Sequence, residues 1–207
     1  SIVNYTNAGR RFLERGDSAV EDVRGVLRAI AEQGTRAGEI IRHLRELIKK
    51  GQVERVSLDV NEELGAVFSL VHGDAVARGV IIRRSLAAEL PRIHGDPIEL
   101  QQVILNLVIN SFEAMSQRDG AGRELTVRTW SEGLNVEVAL SDTGPPVSEE
   151  TFQKMFQRFY TSKPGGLGIG LSISQSIVEA HGGRLWAERN AERGLTLRLS
   201  LPTSPPL

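Results

Sequence analysis

The chain contains no cysteine, which excludes disulfides, thiolate metal sites and cysteine nucleophiles and suits a reducing, cytoplasmic compartment. It has no surplus of either charge. The 25 lysines and arginines stand against 26 aspartates and glutamates, a formal net charge of -1, so no broad basic field draws a nucleic-acid backbone. Long apolar runs are missing too: nothing approaches the about 20 residues needed to span a bilayer, and the opening SIVNYTNAGRR lacks the apolar core of a secretory signal. No nucleic-acid partner and no membrane contact by this segment are expected. The chain starts at Ser1 without an initiator methionine, which reads as a piece of a longer protein whose upstream segments are not shown.

What is present divides into two unequal modules. Apolar or small residues recur at alternating spacings of three and four at Val20, Val23, Leu27, Ile30, Gly34, Ala37, Ile41, Leu44 and Ile48, a heptad seam. The run Glu21 to Lys50 has no proline, carries Lys49 and Lys50 in its last turn and stops at Gly51, which predicts one helix of roughly 45 Å. Ile2, Tyr5, Gly9 and Phe12 trace a shorter stripe before it, and Arg15-Gly16-Asp17-Ser18 reads as the turn of an antiparallel hairpin. Two helices cannot enclose so long a seam, so a homodimer through a four-helix bundle is expected.

After Gly51 the period changes. The pattern predicts a strand over Arg55 to Leu58, a helix over Asn61 to Val76, a strand over Val80 to Arg83, and a helix opened by Asp96-Pro97 and running to Met115. Leu125 to Trp130 and Val136 to Leu140 alternate around Glu132-Gly133 as a hairpin. A helix over Ser148 to Phe156, a glycine-rich stretch, a helix over Leu171 to Ala180 and strands around Leu185 and Thr196 to Leu201 follow. The sum is an α+β sandwich with helices on one face. The division expected is a hairpin over residues 1–51, a globular domain over 52–202 and a tail over 203–207; Pro202 to Leu207 is rich in proline with nothing to bury.

Three motifs carry chemistry. Gly165 to Leu171, GGLGIGL, lies between a polar loop and a helix start, where unpaired backbone N–H groups and the helix dipole favour a phosphate; by itself a glycine cluster is as readily a flexible connection. Gln102, Asn106 and Asn110 recur every four residues on one face of an otherwise apolar helix. Their amides either bond one another in a partly buried site or supply a neutral, hard oxygen to Mg²⁺ held by nucleotide phosphates. Asp142-Thr143-Gly144-Pro145-Pro146 directly follows a strand, and is either a turn or a carboxylate placed to accept a hydrogen bond from a purine amino group.

In this order the segments LQQVILNLVINSFEAM, SDTGPPV, MFQRFYTSKPGG and GLGIGLSISQSIVEAHGG resemble the N, G1, F and G2 boxes of sensor histidine kinases within the GHKL ATPase superfamily. The preceding NYTNAGRRFLERGD and AIAEQGTRAGEIIRHLRELIKKG resemble the dimerisation hairpin of the oxygen-sensing nitrogen-fixation kinase group. The resemblance implies a GHKL-type α/β sandwich that binds ATP and Mg²⁺, a homodimer through the hairpin, and phosphoryl transfer to a histidine and then to a response-regulator receiver domain. It implies that Asn110 holds the metal, Asp142 reads the adenine amino group and Gly144 lets the backbone approach the base. Gly166, Gly168 and Gly170 cradle phosphates, with Ile169 and Leu171 among the nucleotide-binding positions, and Lys163 places charge on the β- and γ-phosphates or is a solvated surface lysine. Asn106 stands where the water-hydrolysing relatives carry a glutamate. An amide cannot remove a proton, so Asn106 and Lys163 are expected to serve transfer rather than hydrolysis.

Two features depart from the family pattern. The last glycine of DxGxG is Pro146 here, which fixes φ and removes a donor, and it motivates an alternative in which the chain is a catalytically degenerate scaffold for nucleotide binding or dimerisation. The phosphoacceptor histidine of the family aligns about two turns before Ser1. His43, His72, His94 and His181 lie outside any HExxx sequence, so structural or surface roles are expected for all four and no autophosphorylation by this segment alone. His181, at a helix end, is expected to favour the helix dipole when protonated.

Overall fold

The computed structural model describes residues 55–116, 122–162 and 168–203, with Val23 and Gly25 besides. The hairpin expected over 1–51 and its bundle, Lys163, Gly166 and residues 204–207 lie outside them. From residue 55 onward the described residues belong to one compact unit, Val53–Leu207.

The unit begins with β1 (Val56–Leu58) and α1 (Val60–Arg78). Asp59 caps α1 by accepting from the Asn61 N–H at 2.8 Å, and Gly79 ends it in the left-handed conformation at φ 63°. β2 (Val80–Ser85) and β3 (Ile93–Gly95) lead to α2 (Pro97–Ser116), which Asp96 opens by accepting from the Ile98 and Glu99 N–H groups. β4 (Arg123–Glu132) and β5 (Asn135–Asp142) form the expected hairpin, with Glu132 opposite Asn135. A short α3 (Glu149–Lys154), α4 (Gly170–Ala180), β6 (Arg184–Arg189) and β7 (Leu195–Pro202) complete the order.

The main sheet runs β2-β4-β5-β7-β6, and β1 pairs with β3 in a separate antiparallel ribbon. Only the β2–β4 pair of the five-stranded sheet is parallel, so the sheet is mixed. Alternation sorts its faces. Val136, Val138 and Leu140 of β5 and Leu195, Leu197, Leu199 and Leu201 of β7 are buried within the single core that the helices cover. The other face carries Thr126, Arg128, Trp130, Arg198 and Trp186. The result is an α+β sandwich with a mixed sheet.

Three details differ from the sequence expectation. The ribbon strand β3 went unrecognised because three residues between Arg92 and Asp96 offer no period to detect. α3 is six residues and ends at Lys154, short of Phe156. Its anchoring comes from side chains: Arg189 pairs with Glu149 at 2.8 Å and lies 4.4 Å over the Phe152 ring. Hydrogen bonding from Arg189, then from Gln153, holds the Glu149 carboxyl below its ordinary value. Its contribution to stability is therefore present above the ordinary carboxylate range and fades as pH falls through the lowered value. Finally, Pro202 closes β7 instead of opening the tail, and the Thr203 N–H donates to the Leu134 carbonyl at 2.8 Å; a strand end costs little to extend when a backbone acceptor is at hand.

His181 is 6 % exposed and tethers two elements. Its Nε2 accepts from the Asp96 N–H at 3.1 Å, and its Nδ1 faces the Ile177 carbonyl at 2.8 Å, which assigns the proton to Nδ1. The ring meets the end of α4 through Nδ1, a structural role of the kind expected for this histidine. It fixes the start of α2 to the end of α4, and Gly95 leaves the room, since a Cβ there would lie 2.7 Å from the ring.

Phe112 of α2 is fully buried at the centre of the core. Phe112→Ala is expected to cost about 3–5 kcal/mol in denaturant unfolding; a loss below about 1 kcal/mol contradicts this placement.

Candidate functional site

α2 has two faces because its sequence has two patterns. Leu100, Val103, Ile104, Leu107, Val108, Ser111, Phe112 and Met115 are buried in the core. Gln102, Asn106 and Asn110 fall on the other face, half-buried. On that face Asn110 Nδ2 donates to Asn106 Oδ1 at 3.4 Å, and Asn106 Nδ2 donates to the Ser174 hydroxyl of α4 at 2.8 Å. Gly170, the first residue of α4, packs on the same amide: a Cβ there would lie 2.6 Å from Asn106 Oδ1.

α4 begins without a side-chain cap. Ile169 precedes it and makes no side-chain bond, so the first N–H groups are presented by Gly170, Leu171 and Ser172. The buried Ser172 side chain turns back onto the Ile169 carbonyl at 2.9 Å. Gly168 has φ +65°, and a Cβ on it would meet the Tyr160 carbonyl at 2.5 Å. This glycine is required, and it ties the approach to α4 to the segment after α3. In that segment Phe159 has φ 66° and is 79 % exposed.

Asp142 ends β5 with 5 % exposure, and a carboxylate that dry requires donors. Its Oδ1 accepts the Gly144 N–H at 2.8 Å and the Leu195 N–H at 3.4 Å. Its backbone carbonyl accepts from Asn190 Nδ2 at 3.0 Å, and Asn190 Oδ1 accepts from the Thr196 hydroxyl at 2.6 Å. Gly194, at φ +76°, lies so close that a Cβ there would reach 2.8 Å from Asp142 Oδ1. Gly144 sits against α2, where a Cβ on the glycine would lie 3.3 Å from the Ala114 Cβ. Thr143 accepts from the Glu124 N–H and donates to the Gly122 carbonyl, both at 2.9 Å.

Asn106, Asn110 and Ala114 follow one another at four-residue steps along α2, so the contact with α4 and the contact with the Asp142 turn lie about 12 Å apart on one helix face. Uncapped N–H groups mark one end and a buried carboxylate the other, with an amide pair between. Of the predicted site residues, Asn106, Asn110 and Gly170 meet at the α4 end of this face, Gly144 and Asp142 lie together at the Ala114 end, and Gly168 packs instead against Tyr160. Pro146 is exposed. Among the described residues no cluster of three or more His, Cys, Asp or Glu forms a metal cage.

The sequence pattern of the histidine kinase-, DNA gyrase B- and HSP90-like ATPases matches residues 95–205, from β3 to the end of β7. The chain belongs to this family. Within it, the chain is 39 % identical to the sensor protein FixL of Bradyrhizobium diazoefficiens over 99 % of this chain and 40 % of FixL. It is 33 % identical to the sensor protein TdiS of Thauera aromatica over 98 % of this chain and 37 % of that protein. The chain thus spans about two fifths of the length of these relatives. The solved catalytic domain of histidine kinase ThkA superposes with a TM-score of 0.65 at 30 % identity, covering 72 % of this chain and 96 % of that one. ThkA solved in complex with the response regulator protein TrrA shares the fold at a TM-score of 0.72 and 24 % identity, covering 99 % of this chain and 59 % of that one.

Several residues around this face were missed by sequence reasoning. Asn190, Gly194 and Thr196 support Asp142 from 48 or more positions away, a separation no local pattern reveals. Ser174 was missed as well, although its place one turn after Gly170 on the same face of α4 was a usable signal. Gly194→Ala is expected to cost about 1–3 kcal/mol of stability through its positive φ and its crowding of Asp142. Denaturant unfolding checks this, and an unchanged midpoint contradicts the crowding.

Proposed function

We infer that the face of α2 between α4 and Asp142 binds Mg-ATP, and that the protein transfers the γ-phosphoryl group to a histidine and thence to a response-regulator aspartate. The observation that carries this reading is the spacing on α2: uncapped backbone donors at one end, a dry carboxylate at the other, and two amides between. On this reading Asp142 would accept from the adenine amino group, Gly144 would let the backbone approach the base, and Gly166, Gly168 and Gly170 would receive the phosphates with Lys163, Ile169 and Leu171 beside them.

The donor set suits Mg²⁺. The metal prefers oxygen ligands and keeps several waters, taking few ligands from protein when phosphates are present. Asn110 supplies a neutral amide oxygen, and when bound the ion neutralises charge on the phosphates.

In the transfer, a neutral imidazole nitrogen attacks the γ-phosphorus in line, the bond to the β-γ bridging oxygen breaks, and ADP departs with the electron pair while the imidazole sheds its proton. The chain's own part is position and charge. Asn106 cannot act as a base, and its amide is already engaged by Ser174 and Asn110, which disfavours activation of water. The degenerate-scaffold reading rests on Pro146, which is exposed.

The histidine-kinase relatives support the reading, and the complex of ThkA with TrrA supports a receiver domain as partner. The hairpin is proposed as the dimer interface. Among the described residues no helix is long and apolar enough to cross a membrane, and a cytoplasmic place suits a phosphotransfer partner of this kind.

Calorimetric titration with a non-hydrolysable ATP analogue, with and without Mg²⁺, tests the reading. Saturable, magnesium-dependent binding is expected, weakened at least about tenfold, or 1.4 kcal/mol, in Asn110→Ala. A folded protein that binds no nucleotide overturns it and favours the scaffold.

A further inference from the structure

We propose that Ser174 is a positioning residue for the metal site: its hydroxyl orients the Asn106 amide, which orients the Asn110 amide so that the Asn110 oxygen is presented to Mg²⁺. This rests on the reading of the surface as a Mg-ATP site.

The two ends of an asparagine amide have nearly the same shape, but only the oxygen can ligate a cation. A site that relies on one asparagine oxygen therefore needs something that decides which way the amide points. Here the chain of bonds has a direction. Ser174 Oγ accepts from Asn106 Nδ2 at 2.8 Å, which turns Asn106 Oδ1 toward Asn110, and Asn106 Oδ1 accepts from Asn110 Nδ2 at 3.4 Å. With its nitrogen drawn to Asn106, the Asn110 amide carries its oxygen on the opposite edge.

Ser174 is 2 % exposed, so its hydroxyl is not there for solvent. A buried hydroxyl is costly unless bonded, and its partner lies 68 residues away on a different helix. Gly170 closes the arrangement: with no side chain it allows the backbone of α4 to lie on the Asn106 amide, where a Cβ would sit 2.6 Å from the oxygen and 3.1 Å from the nitrogen. On that reading, helix α4 holds the N–H groups for the phosphates at its start and, one turn later, the hydroxyl that receives the Asn106 amide nitrogen and holds that amide in place. Any movement of α4 that opens the 2.8 Å bond releases both asparagines together.

The test uses AMP-PNP and Mg²⁺ with the wild-type chain, Ser174→Ala and Ser174→Thr, and both Ser174 variants' melting profiles as folding controls. Ser174→Ala is expected to weaken AMP-PNP binding in Mg²⁺ by about three- to tenfold, the scale of one hydrogen bond, while magnesium-free binding changes by less than about twofold. Ser174→Thr, which keeps the hydroxyl, is expected to restore the wild-type magnesium effect. In an Asn110→Ala background Ser174→Ala is expected to add nothing. Without nucleotide, NMR should show the side-chain amide signals of both Asn106 and Asn110 moving in Ser174→Ala. Equal losses with and without Mg²⁺, additivity with Asn110→Ala, or an Asn110 signal that stays in place overturns the proposal while leaving nucleotide binding intact. A wild-type chain that binds no AMP-PNP overturns the Mg-ATP reading itself, and the proposal falls with it.

Discussion

A carboxylate with 5 % exposure at the end of a strand is an expensive object, and the local structure around Asp142 is organised to tolerate it. Two backbone N–H groups reach one of its oxygens, from the turn that follows it and from the start of β7. The same proximity excludes side chains at Gly144 and Gly194, so both neighbouring turns are committed to glycine. Asn190 and Thr196 hold the backbone of Asp142 from the β6–β7 side, and Ser141 shares a 2.7 Å hydrogen bond with Thr196. A group secured so thoroughly keeps a fixed direction, which is what recognition of a planar base requires.

The second constraint is that one helix serves the core and the site at once. The inward residues of α2 belong to the buried core, and the helix packs against α1, α4 and the sheet, so its outward face cannot rotate without breaking the core. The amides therefore stand on a rigid floor. α4 is fixed to it twice, at Gly170 and Ser174 near its start and through His181 at its end, where the imidazole accepts from the Asp96 N–H at the opening of α2. Precision at Asn106 and Asn110 is inherited from the core beneath α2 and from the contact of α4 with the Asn106 amide.

Much of this was readable in sequence because it is local. The four-residue recurrence of Gln102, Asn106 and Asn110 already placed them on one face, and Asp96-Pro97 marked the start of α2 for the reason observed: a carboxylate accepting from the first free N–H groups. The alternation at Val136 to Leu140 gave β5 and its buried side. Pairings across long separations were not readable. Nothing near Ser174 announces Asn106, nothing near Asn190 announces Asp142, and nothing near His181 announces the Asp96 N–H 85 residues earlier in the chain. The order of strands, with β7 between β5 and β6, likewise follows from packing and not from any local pattern.

The central claim is that Asp142 reads the amino group of adenine, and the most direct measurement compares the affinities of ATP and inosine triphosphate for the same protein in Mg²⁺. Inosine carries an oxygen where adenine carries the amino donor, so a buried carboxylate faces an acceptor in place of a donor. The account predicts that ATP binds at least about tenfold more tightly. Equal affinities contradict it.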